Sequence, residues 1–260
     1  AGTAFVAIWV FGVPFPAVIA AAAVAGVLLK TAEPRGEAPA ADFDLRGLAI
    51  IVGTGLGLIL AVWLLVRASF GAEPFDGVAT LFTSAAFVSF GGAYALLPYV
   101  ADRAVETYGW LSATQMLNGL AIAEATPGPL ILVNTYAGFF AGWGVGSGVL
   151  TASLATFYTF APSFMLILAV APYVTAVEGQ PVLRRALAGV STAVVGVILN
   201  LAVYLGVAAL MPAGPDSLAW PKLVLLAGFA ALTLWRNPPM HVLVGLGALA
   251  GLGLWALSVI

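Results

Sequence analysis

Apolar residues run in long stretches along this chain, separated by short polar ones. A helix needs about 20 apolar residues to cross a hydrocarbon core of about 30 Å. Gly47 to Val66 supplies such a run without interruption. Phe5 to Leu29 is a second, interrupted by Pro14-Phe15-Pro16, which a membrane helix accepts as a kink when neighbours satisfy the freed carbonyls. Between them, Thr31 to Arg46 gathers the densest charge of the chain together with Pro34, Gly36 and Pro39, and reads as an aqueous linker. Apolar stretches then cover Val78 to Val100, Leu111 to Gly142, Gly148 to Val174, Ala186 to Met211, Lys222 to Trp235 and Met240 to Ile260, with a polar loop at Ala101 to Gly109. Lys222 to Trp235 is short for a span, so it is either a tilted helix or a partner of the last segment around Asn237-Pro238-Pro239. The pattern predicts an all-α integral membrane protein, a polytopic helical bundle of about seven or eight hydrophobic segments.

Composition leaves no soluble alternative, since 62% of the residues are hydrophobic and 8% charged, against about a quarter charged in soluble domains. A globule of this size cannot hide that excess, so lipid must cover the remainder. The chain has no cysteine, which removes disulfides, thiol nucleophiles and Cys-ligated metal sites. Net charge is −2 and the nine Lys and Arg are spread thinly, so there is no basic stripe for nucleic acid. His241 stands alone as a metal-ligand candidate, and no nucleophile elbow, zincin, P-loop or paired-carboxylate pattern points to an enzyme or a cofactor. The chain opens at Ala1 and runs directly into an apolar segment with neither Met nor the layout of a signal peptide. That opening predicts a piece of a longer protein.

Orientation follows from Lys and Arg, which are enriched in cytoplasmic loops. If every segment crosses once, Lys30, Arg35, Arg46, Arg103, Arg184, Arg185 and Arg236 share one face, seven against two. A re-entrant Leu111 to Gly142 changes the split to five against four. The count favours a net crossing, with the Thr31 to Arg46 linker cytoplasmic.

Two interruptions carry the candidate chemistry. Transporter sites at mid-membrane are commonly built from discontinuous helices, and Gly/Pro-interrupted apolar segments are their sequence sign. Here Phe90-Gly91-Gly92-Ala93-Tyr94 and Ala125-Thr126-Pro127-Gly128-Pro129 each follow a half-length apolar run. Pro127 and Pro129 donate no backbone hydrogen bond and suit the first turn of a new helix. The helix starting near Leu130 is expected to aim its N–H groups at the break, and such an N-terminus holds oxyanions without an arginine. Gln115, Asn118, Glu124, Thr126, Asn134 and Thr135 flank this break within apolar sequence. Asn, Gln and Thr also serve as glue between membrane helices, and both breaks also read as kinks that shape packing. Glu124 is the sharper feature, because an ionisable residue in an apolar run faces a cavity, a partner or a proton path. A protonated glutamate bonded to a carbonyl is the inert alternative. Asp102 and Glu106 fall in a loop.

In the order FGGAYALLPYV, GWLSATQMLNGLAIAEATPGPLILVNTYAGF, APSFMLILAVAPY and ALAGVSTAVVGVI, from about Phe90 to Leu205, the chain resembles the chromate ion transporter family. That resemblance implies a proton-motive-force-linked exporter of chromate, with sulfate as the related oxyanion, in the cell membrane. It also implies two tandem halves of opposite orientation in long members. Residues 1–30 then look like the last helix of a preceding half, 31–46 a cytoplasmic linker, and 47–260 the transporter domain, whose partner is the N-terminal half or a homologous subunit. The substrate path is assigned to Phe90, Gly91, Gly92, Tyr94, Asn118, Glu124, Thr126, Pro127, Gly128, Pro129 and Asn134. The chain departs from the family pattern at Asn118, where Asp is common before Gly119, and at Glu124, where Gln is common before Ala125. Transport of another small anion or an organic acid, and a non-transporting membrane scaffold, are the alternative readings.

Overall fold

The computed structural model describes residues 1–29, 44–88, 93–126, 129–174, 180–211 and 217–256. Secondary structure among them is helical throughout. Helices α1 (Gly2–Trp9), α2 (Phe15–Leu28), α3 (Leu45–Phe70), α4 (Phe75–Val88) and α5 (Ala93–Ala101) come first, the last continuing into a π turn over Asp102–Thr107. Helices α6 (Ala113–Ala125), α7 (Leu132–Trp143), α8 (Gly148–Val170), α9 (Pro181–Leu210), α10 (Trp220–Arg236) and α11 (Met240–Ala256) follow. The protein is a helical membrane protein. Among the described residues three helices, α3, α8 with the turn that follows it, and α9, are long and apolar enough to cross a membrane.

Local chemistry sets the boundaries. Asp44 caps α3, its carboxylate accepting the Arg46 and Gly47 N–H groups at 3.1 and 3.0 Å. Ser112 and Gln115 form a reciprocal capping box on α6. The expected kink at Pro14-Phe15-Pro16 is instead a full break: Gly12 takes φ +61° and α2 starts anew with Pro16 in its first turn. Neither proline can donate to the preceding turn, so the helix stops rather than bends. Asn237 ends α10 in the left-handed conformation, ahead of Pro238-Pro239. The Lys222 to Trp235 segment is therefore a helix of its own, 17 residues long.

Packing gathers around two long helices. α8 carries α3, α4 and α7, whereas α9 carries α1, α2, α5 and α6. Small residues permit the closest approaches, as in other membrane bundles. Gly26 meets the backbone of Arg185 and Gly189, and Gly138 meets Ala155 and the Thr151 carbonyl. The outside of the bundle is apolar: of α3 only Val66 is buried, and Ile50, Leu56, Leu58, Leu60, Leu64 and Leu65 are exposed.

Contacts at the helix ends fix how the chain is threaded. The Tyr173 hydroxyl donates to the Asp44 carbonyl at 3.3 Å, joining the start of α3 to the end of α8. The end of α2 lies against Arg185 at the start of α9, at the same face. At the other face Arg67 of α3 pairs with Asp76 of α4, and Trp63 donates to Asp76 at 2.8 Å. Gly77 there packs on Tyr108 and Trp110, which follow α5. Thus α4 and α5 leave and regain one face. α6 and α7 do likewise, because Gly119 at the middle of α6 touches the ring of Tyr136 in α7. Had the two halves been stacked end to end, those residues would stand roughly 25 Å apart at 1.5 Å per residue. The expected net crossing of Leu111 to Gly142 is thereby corrected: the segment doubles back, and the Lys/Arg count had no means of seeing a contact between two helix middles.

Candidate functional site

α4 with 14 residues and α6 with 13 each reach about 20 Å inward from the Arg67 face. Phe90, Gly91, Gly92, Pro127 and Gly128 lie outside the described residues, and of Tyr94 only the backbone, in α5, is described. The flanks of the second break are clear. α6 is capped by Thr126, whose N–H and hydroxyl both donate to the Ile122 carbonyl, at 3.0 and 2.7 Å. That hydroxyl proton is committed to the helix end.

Across the break, the amides of Leu132, Val133 and Asn134 donate to the carbonyls of Pro129, Leu130 and Ile131 at 3.0, 3.1 and 2.9 Å. A tight turn of the 3₁₀ kind therefore precedes α7 and consumes the donors expected near Leu130. The amides leading into the break are those of Leu130 and Ile131. Pro129 is exposed, and so is Asn118 on α6. Gln115 is held in the capping box. Glu124 is half-buried near the end of α6.

Among the assigned residues whose side chains are described, Asn134 alone enters the core. It is 1% exposed, and its Nδ2 donates to Thr159 Oγ1 of α8 at 3.3 Å while its Oδ1 has no partner. Beside it, the hydroxyls of Thr135 and Thr156 lie 2.8 Å apart. Thr159 and Ser163 return their protons to the carbonyls of Ala155 and Thr159, at 2.7 and 2.9 Å. α8 thus lays a hydroxyl-bearing face against α7. The sequence reading passed over these α8 residues, although Ser and Thr recurring at three- and four-residue intervals within an apolar run would have placed them on one helix face. Pro162 lies buried within this same helix, and having no N–H it leaves the Tyr158 carbonyl without its usual donor.

A second polar cluster sits apart. Pro98, Ala101, Asp102, Glu106, Asn200, Leu201 and Tyr204 line a cavity of about 70 Å³, and Tyr204 donates to Glu106 at 2.6 Å. Burial lifts the Asp102 carboxyl above its ordinary range, against the lowering pull of Arg103. His241 is exposed, and no group of metal-ligating side chains occurs among the described residues.

Residues 77–252 match the chromate transporter family model, which takes in both hairpins, α8 and α9. The chain belongs to the chromate transporter family. Among relatives of this chromate transporter family member, a chromate transport protein of Pseudomonas aeruginosa is 31% identical over 80% of the chain and 49% of its own length. A probable chromate transport protein of Synechococcus elongatus is 28% identical over 69% of the chain and 43% of its own length. An uncharacterized transporter of Bacillus subtilis is 26% identical over 66% of the chain but 92% of its own length. The chain thus spans about half the length of the first two relatives and aligns with nearly all of the third. No solved structure matches it.

Proposed function

We propose that this chain is one transmembrane half of a secondary transporter that exports chromate, or a related tetrahedral oxyanion such as sulfate, across the cytoplasmic membrane. The observation that carries the reading is the pair of hairpins α4–α5 and α6–α7, each leaving and regaining one face, with α7 opening beside a buried polar seam. Half-helices of this kind present backbone dipoles to ions at mid-membrane, and the amides of Leu130 and Ile131 head a helix N-terminus suited to an anion. The names of the Pseudomonas and Synechococcus relatives supply chromate.

Orientation is part of the proposal. With both hairpins returning to their own face, and with α3, α8, α9 and α10 crossing, Lys30, Arg35, Arg46, Arg184, Arg185 and Arg236 share one face. Arg67, Arg103 and Lys222 share the other, six against three. The linker at 31–46 stays on the richer, cytoplasmic side, and the hairpins enter from outside. Residues 47–260 form the transporter domain, and a homologous half from the same or another chain completes it.

Chromate flux in vesicles carrying the full protein tests the reading. Gly128→Leu and Gly91→Leu place bulk where close backbone approach is expected, so both should stop flux while the protein inserts normally. Parental flux in well-inserted variants would refute the assignment of the path. Absence of any oxyanion flux in the parent would favour a scaffold.

A further inference from the structure

The unpartnered oxygen of Asn134 says more about the ligand than the break alone does. A hydroxyl has a single proton, and Thr159 gives its own to the Ala155 carbonyl at 2.7 Å. Thr159 Oγ1 has only lone pairs left for Asn134, so the carboxamide atom facing it at 3.3 Å must be the N–H donor. The group left over is therefore the carbonyl oxygen, an acceptor, on a residue 1% exposed and without a hydrogen-bond partner. A buried acceptor left unmade is costly, more so in a low-dielectric interior. Asn134 is the third residue of α7, and side chains on a helix lean back towards its N-terminus, which here is the break.

We infer that Asn134 Oδ1 reads a proton on the substrate: the site prefers a tetrahedral oxyanion that still carries an O–H over one that is fully ionised. This rests on the proposed oxyanion site at the same break. The Leu130 and Ile131 amides take the anionic oxygens, and Asn134 Oδ1 accepts the substrate hydroxyl. At neutral pH phosphate and arsenate retain a proton, chromate is partly protonated, and sulfate and selenate have none. Phosphate and sulfate differ little in size, as do arsenate and selenate, so each pair isolates the hydroxyl from the fit.

Competition against radiolabelled chromate in vesicles of the full protein at one neutral pH tests this. Phosphate and arsenate should displace chromate at concentrations on the order of tenfold below those of sulfate and selenate, the worth of one buried hydrogen bond. Asn134→Leu removes the acceptor and should abolish the preference. Thr159→Val keeps the acceptor but frees the carboxamide to turn its N–H to the anion, and should abolish it too. A residue that served only packing would leave the ratio unchanged. Should either variant misfold, the wild-type ratios and the other variant still decide. Equal displacement by both members of each pair, with chromate binding intact, overturns the inference and leaves the oxyanion reading standing. Failure of every oxyanion, chromate included, to bind saturably overturns both.

Discussion

Single residues set how closely the helices of this protein meet. Gly138 is the sharpest case, since a Cβ there would strike the Ala155 methyl group and lie 3.0 Å from the Thr151 carbonyl. The second of these is backbone and cannot swing aside. Gly138→Leu should therefore lower thermal stability in detergent by about 1–3 kcal/mol, the range for overpacking a tight core. Gly144→Leu should be neutral, because nothing stands within 4 Å of that position. Equal melting temperatures for the two variants would mean that α7 and α8 are not packed as described. The same seam explains why Thr159 escaped the sequence reading. Its place on a hydroxyl-bearing face shows in the Ser/Thr spacing, but its value lies in the Asn134 contact, 25 positions away, and a Thr in an apolar helix looks the same whether it bonds its own turn or a neighbour.

Elements were legible to different depths. A break at Pro127-Gly128-Pro129 and a kink at Pro14-Phe15-Pro16 follow from missing N–H groups, which is local chemistry that one sequence displays, but that the kink opens into a full break does not show there. The start of α6 at Ser112 and the end of α10 before Pro238-Pro239 are local in the same way. What was not legible is the direction of the chain after a break. A half-helix reads alike whether its successor continues or returns, and the decision lies in contacts such as Gly119 with Tyr136 and Gly77 with Trp110. The absence of native cysteine makes the return testable. Single cysteines replacing Glu73, before α4, and Gly144, after α7, should react with an impermeant maleimide from the same side of the membrane. A cysteine replacing Gln180, beyond α8, should react only from the opposite side. Labelling of the first two from opposite faces would restore the net crossing.

At the scale of the whole molecule, the two packing centres divide the bundle into a set carried by α8 and a set carried by α9. Neither hairpin belongs wholly to one set. α4 and α7 lie with α8, while α5 and α6 lie with α9, so each hairpin has one leg in either camp. Mechanically the arrangement is a pair of scissors. Sliding of one set past the other would spread or close the legs of both hairpins. Fastening the blades should then stop the cutting without dulling them. Cysteines replacing Gly119 and Tyr136, joined by a disulfide or a short bifunctional reagent, should block flux while chromate still binds, and cleaving the link should restore flux. Undiminished flux through the fully cross-linked protein would mean that the blades never part, and that the bundle moves as one piece around its ligand.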